Sequence, residues 1–265
     1  MPVSARLKAR LDRLYDTYGP SHLTLDPIQF PRRYAASSDR EVAGFIAAAL
    51  AYGRVAHIGR SVETVLAYLG ASPGEAVRRL DAGRASRDLA RFTHRFNGGA
   101  DVAALLHILG RLLDEYGTLN DAFLAGFDAE AEHVGPALSA FCRRARSIAV
   151  PPLHRRRGAP NRAGAAFFFP DPEDGSACKR LNMFLRWMVR SDAVDLGVWH
   201  GVPSGKLVMP LDVHTARISR RLGLSARRTA DWKMALEVTA ALRRLNPEDP
   251  IRYDFAIFSW GLATS

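Results

Sequence analysis

Pro210-Leu-Asp212-Val-His-Thr-Ala-Arg217-Ile-Ser-Arg-Arg-Leu222-Gly223 holds a complete set of helix signals. Asp212 stands immediately before the run Val213 to Leu222, where a carboxylate can accept a bond from a free backbone N–H and contribute about 1 kcal/mol as an N-cap. Gly223 follows the apolar Leu222 and closes the run. The same grammar recurs along the chain. Ala5 to Tyr18 places Leu7, Leu11, Leu14, Tyr15 and Tyr18 on one face before Gly19-Pro20 stops it. Asp39 is a plausible cap for a very apolar segment from Glu41 to Tyr52, and Ser61 to Leu69 ends at Gly70. Further helices are expected over Pro73 to Leu80, Asp101 to Tyr116, Asn120 to Gly126, Gly135 to Ile148, Ser176 to Val189, Thr229 to Leu245 and Pro250 to Gly261, the last opening on a proline suited to a first turn. Strand alternation is rare, which predicts an all-α protein instead of a parallel sheet with crossover helices.

Composition narrows the class. The 265 residues, 48% of them hydrophobic, can bury a substantial core and show no repeat or low-complexity tract. A formal charge of +10, mostly arginine, makes a polyanion a natural partner, since the guanidinium forks onto phosphate; surfaces that are merely basic are the alternative. Cys142 and Cys178 are too few for a disulfide framework, a four-cysteine zinc site or an iron–sulfur cluster. The first residues lack an uninterrupted apolar stretch and no later run approaches a membrane span, so a cytoplasmic protein without membrane contact is expected. Eight histidines show no metal-ligand spacing with paired carboxylates, and no Gly-rich phosphate loop occurs, so neither a metal nor a cofactor is implied.

The segment Pro151 to Pro172 interrupts the helical rhythm with Arg155-Arg156-Arg157 and Phe167-Phe168-Phe169 and reads as a connector. Its arginines are either solvated or bound to phosphate. Its phenylalanines are expected as core anchors in preference to a base-stacking platform.

Beyond the connector, Gly175-Ser-Ala-Cys-Lys179-Arg-Leu-Asn sets a lysine in the first turn of its helix. There the free N–H groups and the helix dipole favour the neutral amine that nucleophilic attack requires. An ordinary exposed lysine is the competing reading. Asp212 combines with it chemically: one carboxylate oxygen can cap its helix while the other stays ionised toward a reacting centre. Arg186 and Arg190 share a helical face by their spacing of four, and suit either phosphate or an ion pair with Asp192 or Asp195. Asp254 and Phe258 share a face in the same way, offering an acceptor and a ring. Phe258 alone reads as core, whereas Asp254, amid Tyr253, Phe255, Ile257 and Phe258, is costly to bury without a partner. Trp199 and Trp260 read as structural.

Lys179 after a glycine-containing turn, followed by Leu-Asp212-Val-His214-Thr-Ala-Arg217 and then Leu222-Gly223, resembles the active-site region of the helix-hairpin-helix DNA glycosylase superfamily. The separation of Lys179 from Asp212 is closer to the archaeal 8-oxoguanine glycosylases than to the endonuclease III branch. The turn departs from that branch, which has Gly-x-Gly before the lysine where Ala177 and Cys178 stand here. Lys179 to Arg190, Asp192 to Trp199 and Asp249 to Gly261 also resemble an uncharacterised bacterial family with this arrangement. Glu41 to Arg54 looks like the superfamily's first barrel helix, without the glutamine that often follows it.

The resemblance implies two helical lobes with a cleft between them: residues 1–39 with 201–265 carrying Asp212, and a barrel of residues 40–200 ending at the Lys179 hairpin. It implies a bifunctional glycosylase and AP lyase acting on an oxidised purine in double-stranded DNA, most simply 8-oxoguanine, as a monomer. Lys179 and Asp212 would be catalytic, and Asp254 and Phe258 would line a base pocket. Ser176, Arg180, Arg186, Arg190, His214 and Arg217 would contact DNA. A non-catalytic module for distorted DNA and an RNA-binding or RNA-processing protein are the other readings.

Overall fold

The computed structural model describes residues 5–18, 26–157 and 164–263, which form twelve α-helices and one two-stranded hairpin among the described residues. The all-α expectation holds. Two compact units share the chain: Met1–Asp26, Phe127–Pro136 and Asp171–Ser265 make the first, and Pro27–Gly126 and Ala137–Pro170 the second. The boundary after Pro170 puts the Lys179 helix in the same unit as Asp212, whereas the sequence reading divided them at residues 200 and 201.

The second unit contains α2 (Ser37–Ala49), α3 (Val55–Leu69), α4 (Pro73–Arg78), α5 (Ala82–Asp88), the hairpin β1 (Thr93–His94) and β2 (Asn97–Gly98), α6 (Gly99–Tyr116), α7 (Leu119–Leu124) and, from Ala137 onward, α8 (Gly135–Ser147). Helix α6 is its hub: α4, α5 and α7 pack on it, and its residues from Gly99 to Leu106 are all buried. Gly110 permits the approach of α4, because a Cβ there would lie 2.2 Å from the carbonyl oxygen of Val77. The apolar centre gathers Phe45 against Phe169 at 5.3 Å and Phe141 at 6.3 Å between ring centroids, so Phe168 and Phe169 are the anchors expected of them, both buried. Phe167 is half-buried, edge-on to Tyr52.

Two acidic residues on α2 join helices. Asp39 lies inside the first turn of α2, and its Oδ1 accepts the backbone N–H of Gly74 at the start of α4, which replaces the capping role expected of it. Glu41, buried, accepts the N–H groups of Leu119 and Asn120 at 3.1 and 3.0 Å, meeting two of the orphan donors of α7 with one side chain. Arg155 of the connector pairs with the buried Asp101 at 3.0 Å, an ion pair that is neither of the two roles expected of it; Arg156 and Arg157 are exposed.

The first unit contains α1 (Ala5–Tyr18), α9 (Lys179–Val189), α10 (Val213–Arg221), α11 (Trp232–Arg243) and α12 (Asp254–Ala263). Gly19 and Pro20, expected to stop α1, lie outside the described residues, as does the side chain of Trp260. Helices α1 and α10 pack on α12, and α9 is buried without interruption from Leu181 through its C-cap, Arg190. Trp199 is structural: it is buried edge-on to Phe184 of α9 at 5.3 Å. Among the described residues no helix is long and apolar enough to cross a membrane.

Candidate active site

The turn that delivers Lys179 is built from local bonds. Asp171 caps the short 3-10 turn Pro172–Asp174 by accepting from the N–H of Glu173, and Gly175 then takes the left-handed region at φ +80°. Ser176 makes a small turn of its own, its hydroxyl accepting the N–H of Cys178 at 3.2 Å. Cys178, the N-cap of α9, sits at φ +48° and ψ +33°, a conformation that costs a residue with a Cβ roughly 1 kcal/mol. The backbone at position 178 thus takes a glycine-like shape with a cysteine in it. The thiol offsets part of the strain, being buried and donating to the carbonyl of Ser176 at 3.3 Å. Asn182, one turn into α9, donates to the carbonyl of Ala177, and the N–H of Trp232 donates to the carbonyl of Gly175. The turn is thereby tied to both α9 and the start of α11.

Asp212 is the N-cap of α10: Oδ1 accepts the N–H of Thr215 at 2.8 Å. Its Oδ2 lies 3.9 Å from Nζ of Lys179, with both side chains just over a quarter exposed. That distance is a Coulombic contact and too long for a hydrogen bond. The cap on Oδ1 is the one the sequence suggested, and Oδ2 is directed at the amine.

Behind this pair lies a buried ionic network. Arg186, with 3% of its side chain exposed, donates from Nε to Asp195 at 3.2 Å and from Nη1 to Asp254. Arg190 donates to Asp195, to Asp192 at 2.8 Å and to both oxygens of Asp249. Asp192 also accepts the N–H groups of Val194 and Asp195 and the hydroxyl of Tyr15. Burial raises the pKa of Asp254 and pushes Asp195 up to about 6, in each case against the attraction of Arg186. Asp192 is held below the usual carboxylate range by Arg190 and its backbone donors, which outweigh its own burial. Lys179 and Asp212 act on Asp254 more weakly and in opposite directions, the lysine lowering its pKa and the aspartate raising it.

These contacts revise several expected roles. Arg186 and Arg190 are both buried and paired with carboxylates, which is the ion-pair alternative, although Nη2 of Arg186 is left without a hydrogen-bond partner. Asp254 is 5% exposed with one oxygen held by Arg186, so it braces the site from below and does not offer an open acceptor to a base. Phe258, one turn further along α12, is half-buried. Ser176 and Arg180 are half-buried beside Lys179, His214 is exposed next to Asp212, and Arg217 is half-buried one turn along α10. The sequence reading missed the capping contact of Asp231 with Met234 at the start of α11 and the exposed Val213 beside Asp212; an apolar residue directly after a capping aspartate was the signal for the latter.

What emerges is an all-α chain with a lysine and a capping aspartate side by side over a buried arginine–aspartate network. Residues 26–263 match the family described as "Protein of unknown function (DUF2400)", and the chain belongs to that family. No curated protein and no solved structure matches it.

Proposed function

We propose that the protein is a bifunctional DNA glycosylase with AP lyase activity, of the two-lobed helix-hairpin-helix type, that removes an oxidised purine such as 8-oxoguanine from duplex DNA in the cytoplasm. The observation that carries this reading is the convergence of Lys179 and Asp212 at 3.9 Å from separate helices, one oxygen of the aspartate fixed by its cap and the other facing the amine. A net charge of +10 supplies attraction for the polyanion.

The everted nucleotide would present its sugar to the pair. Nζ in its neutral form attacks C1′ as the glycosidic bond breaks, and the base leaves with that electron pair and takes up a proton. Oδ2 of Asp212 offsets positive charge developing on the sugar. Loss of a proton from the nitrogen and opening of the C1′–O4′ bond, with O4′ protonated, give an iminium ion between Nζ and C1′. Removal of a C2′ proton then expels the 3′ phosphate with the C3′–O electron pair, and water hydrolyses the imine to restore the lysine. Arg180, His214 and Arg217 flank the pair and are the candidates for phosphate contact.

A panel of single-lesion duplexes, scored for base release and strand scission, tests this. The wild type should do both on an oxidised-purine duplex, Lys179→Gln should do neither, and Asp212→Asn should bind DNA with release slowed by about 100-fold or more. Binding that survives both substitutions, with no release by the wild type from any lesion, is the result of a non-catalytic DNA-structure module. Preference for single-stranded RNA at equal salt points to the RNA reading.

A further inference from the structure

The second unit carries a bowl of about 480 Å³ that shares no residue with the Lys179 site and lies within the roughly 300–1,000 Å³ of small-ligand sites. Its rim is basic. His57, Arg60 and Thr64 project from one face of α3, Arg91 comes from the turn after α5, and Arg95 from the tip of the β1–β2 hairpin. Arg60 and Arg91 are exposed and make no salt bridge among the described residues, and the guanidinium of Arg95 lies 5.4 Å from the ring centroid of Phe96. Asp88 is the one carboxylate in the lining, and it is engaged by Arg84 at 3.5 Å and by the hydroxyl of Tyr68 at 3.3 Å. Three guanidinium forks against one paired carboxylate leave a positive field of the kind that takes a phosphate in two-pronged fashion.

The floor is of different character. Leu89 and Phe92 are buried and apolar, and Ser61 and His94 beside them are occupied with each other. Nε2 of His94 faces the carbonyl oxygen of Tyr52 at 3.1 Å, which can only accept, so that nitrogen carries the proton and Nδ1 accepts the hydroxyl of Ser61 at 2.8 Å. Burial lowers the pKa of His94 and keeps the imidazole neutral. The floor is therefore uncharged with its hydrogen bonds internally satisfied, suited to the flat apolar body of a ligand whose charge stays at the rim.

The backbone is shaped to hold Arg95 in place. Arg95 adopts φ +52°, in the left-handed region, and its side chain runs across Gly53, where a Cβ would lie 2.8 Å from its Cδ. We infer that this bowl binds a nucleotide phosphate, with the phosphate on Arg60, Arg91 and Arg95; in a free mononucleotide the ring system lies over Leu89 and Phe92. The source of that phosphate ester is either a free mononucleotide or the phosphodiester backbone of a DNA strand.

Calorimetric titration of the full chain with deoxyguanosine 5′-monophosphate, and separately with a lesion-free duplex at several salt concentrations, tests this and separates the sources. Wild type, Lys179→Gln and the double variant Arg60→Glu/Arg91→Glu are compared, with Arg60→Gln/Arg91→Gln in reserve should the glutamates disturb folding by circular dichroism. Mononucleotide binding that is equal in wild type and Lys179→Gln and at least tenfold weaker in the double variant identifies a free-nucleotide site. Absence of mononucleotide binding, with the double variant lowering the slope of log K against log salt for the duplex by about 1.8, identifies backbone contact by two arginines. The inference is overturned if the double variant changes neither titration, or if Lys179→Gln alone abolishes mononucleotide binding. None of these outcomes depends on lesion excision, so the bowl and the glycosylase reading can fail separately.

Discussion

Replacing Arg186 by methionine is the sharpest test of how the reactive pair is supported. Arg186 is buried with 3% of its side chain exposed and serves two carboxylates, Asp195 and Asp254, themselves almost wholly buried. Methionine fills similar volume but removes the charge, and breaking a buried pair from one side costs about 3–5 kcal/mol. For a domain of this size that corresponds to a fall in Tm of roughly 6–20 °C. The loss also has a pH signature. A carboxyl whose folded pKa is raised above its unfolded value gives stability that is complete below the unfolded value and is lost as pH rises through the folded one. Asp254 is raised and Asp195 stands at about 6, with Arg186 opposing the rise in both. Removing Arg186 raises both further and carries the loss toward neutral and alkaline pH. Urea denaturation of wild type and Arg186→Met at pH 5 and pH 8 should therefore show a larger deficit at pH 8. Adding Asp254→Asn should recover part of it by removing one stranded charge. A deficit below about 1 kcal/mol, or an equal deficit at both pH values, would refute the reasoning.

Asp212→Ala should lose about 1 kcal/mol by leaving the N–H of Thr215 without its cap, whereas Asp212→Asn, itself a good cap, should unfold within about 0.5 kcal/mol of wild type in the same denaturation series. Gly110→Ala should destabilise by about 1–3 kcal/mol, because its Cβ would meet the Val77 carbonyl on a neighbouring helix; a neutral result in thermal melts would mean α4 can move aside. His94 is held below its usual pKa by burial, so its contribution is present above the unfolded value of 6.5 and is lost as pH falls through the lower folded value. Set against the opposite trend from Asp195 and Asp254, the test is differential: going from pH 7 to pH 5 the denaturation midpoint of wild type should lose ground relative to that of His94→Asn.

Much of the helix content was legible because its signals are local. Ala5 to Tyr18 is α1 to the residue, and Asp212 and Gly223 bracket α10 as their capping chemistry demands. What the sequence concealed depended on contacts across long separations. Asp39 is a good local cap, yet it serves the N-terminus of α4 instead, and nothing between the two positions announces that. The short α5 and the β1–β2 hairpin fall in a stretch without clear periodicity, and they take their packing from α6 and α3. In the candidate site, Asp254 was readable as an acid in need of a partner from its apolar neighbours. That the partner is Arg186, and that Arg186 and Arg190 are thereby taken up by internal carboxylates, required the packing of α9 against α12's first residue. The strain at Cys178 was equally hidden, since a cysteine gives no local sign of a left-handed turn.

The claim on which the functional account rests is that Lys179 becomes covalently joined to a deoxyribose. Incubation of the full chain with an 8-oxoguanine duplex in the presence of borohydride, followed by proteolysis and mass spectrometry, measures this directly. The account predicts a single reduced DNA adduct on the peptide containing Lys179, absent from Lys179→Gln. No adduct with any oxidised-purine duplex, or an undiminished adduct in the variant, would contradict it.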